Sequence, residues 1–402
     1  KKDQIDVPLD VMFIVDVSAS MENTTNGGEK RRTATVKAVN NAMNEILEQN
    51  DQNRVGLAIF SSYAELLMPM DRYSYDGTFN ELSSFIRLQS GTNHYYTRDY
   101  IHRGSTLKKN GVSYNSPSAI EQNMGTFTQL GLDLGGNALL DVSDTTWSRT
   151  IFAGTGNAKT VTGARQPVII LLSDGIATHA TSNYANPMVG PYYGSGQNAY
   201  GLYGYYTILT ANYYKRMVGL HYDTPCYFCS IGLGIGNGDG GDDYASNRYM
   251  RAVLDPTSGR ISDLASDSTS SSGLTAAKLE QTTTQLRNIL NGSFTNTKVE
   301  VDNYAYTWQG YNNNKPGDVH LQVTLTQLPY LNPNPYAGNY SYADYSSFGE
   351  FSSTELLAQF QKVISASSQT KHYGFMLNES SASVKMADNI GDGMEIRIDP
   401  NC

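Results

Sequence analysis

Three short stretches carry side chains whose type and spacing could do chemistry. The first is Asp16-Val17-Ser18-Ala19-Ser20, an acid followed by two hydroxyls at alternate positions. The second is Gly125-Thr126-Phe127-Thr128, just before an apolar helical pattern, and the third is Ser173-Asp174-Gly175. Carboxylates and hydroxyls are hard oxygen ligands, and such a set suits Mg²⁺, which prefers oxygen and keeps part of its water. Taken alone, the first stretch reads equally well as a serine-rich loop capping the next helix. No comparable case for catalysis exists. His94, His102, His179 and His221 lie in or near loops, and none sits in a motif with a nucleophile. Cys226 and Cys229 form a Cys-x-x-Cys. They lie within a strand-like run that turns residues three apart to opposite faces, whereas the redox motif needs a helix N-terminus.

The elements that must position these side chains are legible from their apolar runs. Val11 to Val15 and Val168 to Leu172 are short, continuously apolar and bounded by polar residues, the pattern of strands buried on both faces of a parallel sheet. Each ends in an acid, Asp16 and Asp174. In open α/β sheets ligands sit beyond the carboxyl ends of the strands, so both acids and the two serines can converge on one face. Val36, Val39, Met43, Ile46 and Leu47 recur at helical spacing up to Asn50. Val55 to Phe60 is the next strand, Ala64 to Met68 a short edge strand ended by Pro69, and Phe79 to Leu88 a helix. The helix after Thr126 carries Leu130, Leu134, Ala138 and Leu139, with Gly131 and Gly135 allowing it to approach the sheet. Ile208, Ala211, Tyr214 and Val218 mark a helix, Cys226 to Ile235 a strand, and Tyr244 to Leu254 a further helix.

The set Asp16, Ser18, Ser20, then a distant Thr126, then a distant Asp174 resembles the metal-ion-dependent adhesion site of von Willebrand factor type A domains. Thr126 is preferred over Thr128 because the family's threonine lies six residues before the Leu of a Gly-Leu pair, here Gly131-Leu132. The resemblance implies a doubly wound, mainly parallel α/β sheet. It also implies a site in which Ser18, Ser20 and Thr126 offer hydroxyl oxygens to Mg²⁺ (or Mn²⁺ or Ca²⁺), and Asp16 and Asp174 bind it directly or through water. A site built largely of neutral hydroxyls and water would leave the ion under-neutralised, so an acidic group of a protein partner is the implied ligand. The segment Asp388 to Glu395 resembles the one that follows this domain in Gram-positive surface and pilus-tip adhesins. That implies an extracellular place, on the cell wall or a pilus tip, a host-surface or matrix ligand, and no enzymatic activity. A structural or assembly module, whose ion only stabilises loops, is the alternative.

Composition suits a recognition surface and, equally, tyrosine that merely covers the edges of long insertions. The chain has 402 residues, 29 of them tyrosine, a net charge of −9 and 17% charged residues. Nucleic acid binding needs a basic face, which this balance argues against, and tyrosine with small polar residues suits adaptable contact surfaces. No apolar run reaches the about twenty residues of a membrane span, so direct membrane insertion is not expected. No signal-peptide pattern is present, and the chain is expected to be a piece of a longer protein.

The length exceeds what the implied core needs. Residues 1–370 are read as that core with insertions at about 91–123, 143–166, 179–205 and 257–339, and 371–402 as a tail leading to a following stalk domain. The first three insertions show no regular period. The first and third leave from the face of the acids and should wall it. The fourth contains a helical pattern from Ala276 to Leu290 and alternating runs from Thr297 to Trp308 and Val319 to Leu328. It precedes an edge strand at Tyr340 to Asp344 and is expected on the opposite, stalk side. Ser352-Ser353-Thr354-Glu355 is a capping box that opens a final helix with Leu356, Leu357, Phe360, Val363 and Ile364. The rival division ends the core at Ala276 to Leu290 and makes the remainder a separate β domain. Gly232 to Gly236 lacks the dinucleotide glycine pattern, and Asn237 to Asp243 reads as a solvated turn rather than a Ca²⁺ loop. A disulfide from Cys226 or Cys229 to Cys402 stays open; Cys226–Cys402 would tie the tail to the base of the core.

Overall fold

Continuous apolar runs can be buried only if both faces of their sheet are covered, and this governs the architecture. The structure, a computed structural model, describes residues 3–93, 96–114, 122, 125–153, 157–174, 177–181, 186–188, 192–194, 199–234, 298–303, 305–306, 319–324 and 344–373. Its central sheet has six strands: β1 (Leu9–Asp16), β2 (Arg54–Phe60), β3 (Ala64–Asp71), β4 (Gln166–Ser173), β5 (Tyr227–Leu233) and β6 (Tyr345–Gly349). The order is β6-β5-β4-β1-β2-β3. All neighbours pair in parallel except β3, which is antiparallel to β2. Every residue of β1 and β4 is buried.

Among the described residues four helices cover the sheet: α1 (Arg31–Gln49), α2 (Thr128–Leu140), α3 (Gly201–Tyr222) and α4 (Ser353–Ser367). Alternate residues of β1 face opposite layers. Val11, Phe13 and Val15 share a core with Val36, Val39 and Met43 of α1 and Phe360 and Val363 of α4, with the Phe13 and Phe360 rings edge-on at 5.5 Å. Ile14 faces α2. A Cβ added at Gly131 would lie 2.5 Å from Phe60 Cδ1, and one at Gly135 2.6 Å from Ile14 Cδ1, so both glycines permit the close approach read from the sequence. α3 packs on α2, where the Tyr214 hydroxyl donates to Asp133. Among the described residues no helix is long and apolar enough to cross a membrane.

Several local expectations are corrected. Phe79 to Leu88 is not a helix: turns lead into a strand, Ile86–Asn93, paired antiparallel with Tyr96–Arg103. The cause is buried Asn40 of α1. Its Oδ1 accepts from the backbone N–H of Phe85 and of Ile86, each at 2.9 Å, and its Nδ2 donates to the carbonyls of Glu81 at 2.7 Å and Ile86 at 2.8 Å. Those are backbone groups a helix would have used. β3 runs past Pro69 to Asp71, which an edge strand tolerates because a ladder N–H can be spared there. The 143–166 stretch is a regular hairpin, Thr146–Ala153 with Asn157–Ala164. Its Trp147, Ile151 and Val161 bury Ile5 and Val7.

The edge strand expected at Tyr340 to Asp344 is β6, beginning at Tyr345. The Asp344 carboxylate accepts the Phe228 N–H at 2.7 Å and stands just ahead of the ladder. β6 lies beside β5 in the central sheet, and the capping box at Ser352 opens α4 as read. Part of the fourth insertion reaches the side it was not expected on. Ala305–Tyr306 pairs with Ala199–Tyr200, directly before α3, at the carboxyl end of the sheet. Chain direction fixes where an insertion leaves and rejoins the core, not where its middle travels. The expected helices at Tyr244 to Leu254 and Ala276 to Leu290, the turn at Asn237 to Asp243, the segment Asp388 to Glu395 and Cys402 lie outside the described residues.

Candidate metal centre

Parallel pairing places Val15 beside Leu172, so β1 and β4 end together and bring their polar termini into contact. Asp16 Oδ1 accepts the Ser18 N–H at 2.8 Å, which turns the loop back over the strand end. Asp16 Oδ2 accepts the Ser173 hydroxyl at 2.7 Å across the two strands. The Ser18 and Ser20 hydroxyls are 3.1 Å apart, and Ser20 donates to Asp174 Oδ1 at 2.8 Å. Four of the five residues singled out in the sequence thus form one hydrogen-bonded network, although Ser20 and Asp174 are 154 positions apart.

Thr126 stands on the neighbouring loop and makes no direct bond to the other four. It is buried two residues before α2. Its N–H donates to Thr178 Oγ1 at 2.8 Å, and its carbonyl accepts from the N–H of Thr178 at 2.9 Å and of His179 at 3.3 Å. The loop after β2 holds it from the other side: the Phe127 N–H donates to the Ser61 carbonyl at 2.7 Å and the Gly125 N–H to Ser62 Oγ at 3.0 Å. The Val17 N–H donates to the Phe60 carbonyl at 2.8 Å, so the Asp16 loop and the Thr126 loop both rest on the end of β2.

The electrostatics are those of two acids crowded out of water. Asp16 is fully buried and Asp174 is 8% exposed. Burial raises the carboxyl of Asp16, against the Ser173 and Ser18 hydrogen bonds. Burial first, and then the charge of Asp16, push Asp174 up to about 7, with Arg31 and Ser20 opposing. Desolvated carboxylates that repel one another favour a bound cation. Among the described residues no three His, Cys, Asp or Glu side chains gather in one place, so a cation here would depend on hydroxyls as well as acids. The donor set of two carboxylates with serine and threonine hydroxyls is all oxygen and fits a hard divalent ion.

Residues 11–97 match the family model of the von Willebrand factor type A domain. The matched segment holds Asp16, Ser18 and Ser20 but ends before Thr126 and Asp174. No curated protein sequence matches the chain. Among solved structures the chain is similar to the PilB minor pilin from Streptococcus sanguinis, with 14% identity and a TM-score of 0.34, over 64% of this chain and 55% of that one. It is also similar to the adhesive tip pilin GBS104 from Group B Streptococcus agalactiae, with 13% identity and a TM-score of 0.35, over 61% of this chain and 94% of that one. A third is the vWF domain of the type V pili tip protein Mfa5 from Porphyromonas gingivalis, with 16% identity and a TM-score of 0.24, over 44% and 41% of the two chains. The chain therefore spans about half the length of PilB and less of Mfa5.

Three basic residues at the start of α1 complete the site and were not singled out in the sequence. Arg31 Nη1 donates to Asp174 Oδ2 at 2.9 Å. Arg32 is fully buried. It donates to the Val17 carbonyl at 2.6 Å, to the Ser18 carbonyl at 3.1 Å and to the Asp99 carbonyl, and its Nη1 lies 3.2 Å from Glu22. Lys30 pairs with Glu22 at 2.9 Å and Asp99 at 3.3 Å. Asp99 belongs to the 86–103 hairpin, so that arm is latched to the serine loop. The signal was present: a Lys-Arg-Arg run opening a helix opposes the helix dipole and needs acids from elsewhere. On the other side the Tyr192 ring stands edge-on to Phe127 at 6.0 Å and His179 stacks on Phe127 at 5.7 Å, so the stretch after Asp174 borders the Thr126 loop.

Proposed function

We propose that the chain is a metal-dependent adhesion module built on a doubly wound core of von Willebrand factor type A kind. Asp16, Ser18, Ser20, Thr126 and Asp174 would hold Mg²⁺ (or Mn²⁺ or Ca²⁺). When bound, the ion supplies an open coordination position for an anionic oxygen. The chain's own residues do the rest. Burial of Asp16 and Asp174 keeps water from screening the site, the Ser18–Ser20 pair sets the spacing of the acids, and the Thr178 and Ser61 bonds hold the Thr126 loop beside them. The partner is a protein offering a carboxylate, on a host surface or in extracellular matrix, and the module is carried outside the cell on a wall or pilus-tip protein. The observation that carries this reading is the hydrogen-bonded chain Asp16–Ser18–Ser20–Asp174 across two strand ends.

Binding rather than catalysis is proposed because the side chains of His179 and His221 contact residues outside the bonded set of acids and hydroxyls. His221 Nε2 is 2.7 Å from the Val142 carbonyl, and His179 stacks on Phe127. One observation favours a purely structural module: Arg31 already partners Asp174, so the loops can hold together without an ion. Calorimetric titration of Mg²⁺, run beside adhesion to immobilised matrix proteins with Mg²⁺ or EDTA, separates the readings. The adhesion module requires both metal binding and EDTA-sensitive adhesion. Metal binding with EDTA-insensitive adhesion leaves the structural module.

A further inference from the structure

We propose that Arg31 is a built-in counter-cation of the candidate metal centre, partnering Asp174 when no ion is bound and competing with the ion for that carboxylate. Arg31 would then set the metal affinity. The inference rests on the reading of Asp16, Ser18, Ser20, Thr126 and Asp174 as a metal site.

Arg31 is the first residue of α1, whose first turn contains no acid. A cation at a helix N-terminus is disfavoured by the aligned peptide dipoles, so its position is held by its partners. Those partners come from two other elements. Nη1 lies 2.9 Å from Asp174 Oδ2, after β4, and Nη2 lies 3.1 Å from Glu350 Oε1, between β6 and α4. The guanidinium occupies a slot that only glycine provides. Gly234, at the end of β5 with φ +78°, would place a Cβ 2.0 Å from both Arg31 Cζ and Nη2. The Gly234 N–H donates to the Gly349 carbonyl at 2.8 Å and fixes the slot wall. The arginine is not fully satisfied there, since its buried Nε has no hydrogen-bond partner.

Asp174 is divided between two claims. Oδ2 accepts from Arg31 and Oδ1 from Ser20. An ion held by the serine hydroxyls would approach from the Ser20 side and share the carboxylate with a cation already on the other oxygen. Two cations on one desolvated carboxylate repel, and the low local polarisability strengthens that repulsion. Glu350, which is 30% exposed on its side chain, draws part of Arg31's charge away and moderates the competition.

The charges give opposite signs for two substitutions. Removing the competitor in Arg31→Gln should tighten Mn²⁺ binding by about tenfold in calorimetric titration, the scale of one repelling charge at a buried carboxylate. Removing the moderator in Glu350→Gln should weaken it. Melting temperature supplies a second readout. Metal-free Arg31→Gln should melt below wild type, and saturating Mn²⁺ should raise its melting temperature by more than it raises wild type's. A structural arginine would instead lower melting equally with and without Mn²⁺.

If wild type binds Mn²⁺ and Arg31→Gln binds it no tighter, the competition is wrong and the metal site stands. If neither protein binds Mn²⁺, the metal reading is wrong and the role of Arg31 falls with it. If Arg31→Gln does not fold, Glu350→Gln decides: weaker Mn²⁺ binding supports competition, and unchanged or tighter binding overturns it.

Discussion

Asp174 accepts from Ser20 on one oxygen and Arg31 on the other, and its environment makes ionisation costly. Asp174→Ala and Asp16→Ala should each abolish or strongly weaken Mg²⁺ binding in calorimetric titration while the fold survives, because removing either acid also removes like-charge repulsion. Thr126→Ala should keep most of the metal affinity, since Thr126 shares no bond with the other four, yet reduce adhesion. Wild-type affinity in both aspartate variants would refute the site. A pH dependence follows from the raised carboxyl. A proton and a cation compete for Asp174, so Mg²⁺ affinity should rise as pH rises through about 7. It should be about tenfold weaker at pH 6 than at pH 8. In the metal-free protein the same shift has the opposite consequence: a carboxyl raised on folding contributes stability below its ordinary range, and that contribution is lost as pH rises through about 7. Titrations at pH 6, 7 and 8 test the first statement, and a flat profile would count against it.

At the scale of elements, the site is a meeting of loops that each hang from a buried strand or the start of a helix. Asp16 and Asp174 are placed by β1 and β4, Thr126 by the approach to α2, and the basic cluster by α1. The 86–103 hairpin is tied to the same place by the Asp99 carbonyl, which accepts from Arg32, and by the Asp99 carboxylate, which pairs with Lys30. Replacing residues 92–97 with a two-residue turn removes the last two strand pairs, Thr92–Thr97 and Asn93–Tyr96, and leaves Asp99 in place. Metal affinity should then stay near wild type while ligand binding falls, measured by Mg²⁺ titration beside a matrix-adhesion assay. Equal loss of both would show instead that the arm holds the metal loops together.

Across the whole molecule, the two ends of the central sheet carry polar clusters of different kinds. At the carboxyl end, Asp16 and Asp174 lie close together and accept from Ser18, Ser173, Ser20 and Arg31, and this is the end at which the metal is proposed. At the amino end, Asp10 is completely buried but fully engaged. It accepts from Arg54 at 2.8 and 2.5 Å, from Arg165 at 3.0 and 2.6 Å, and from the Tyr222 hydroxyl at 2.8 Å. Asp10→Ala would leave two guanidinium groups without their shared carboxylate and should cost about 3–5 kcal/mol of stability, seen as a large drop in the denaturation midpoint with or without Mg²⁺. Asp174→Ala leaves Arg31 its Glu350 partner and should cost less stability than Asp10→Ala, with a large loss of metal. If Asp10→Ala unfolds no more readily than Asp174→Ala, this division of labour between the ends is wrong.

What could be read from sequence alone was whatever a window of about ten residues contains. The apolar runs ending at Val15 and Leu172 announced buried strands, because only a sheet covered on both faces hides them. The acids and hydroxyls at their ends announced an oxygen site, Gly131 and Gly135 announced a tight helix approach, and Ser352 with Glu355 announced a helix start. The hairpin 146–164 was also within reach, since Trp147 and Ile151 share one side of an alternating strand. The tertiary structure decided the rest. Asn40 took the backbone groups of 81–86 and turned an expected helix into the lead of a hairpin. Residues 305–306 crossed to the carboxyl end of the sheet, beside Ala199–Tyr200. Arg31 reached Asp174 across 143 positions and Glu350 across 319. Such pairings depend on which strands become neighbours, and no local propensity encodes sheet order; the charges that complete this site therefore became visible only once β4, β5 and β6 lay side by side.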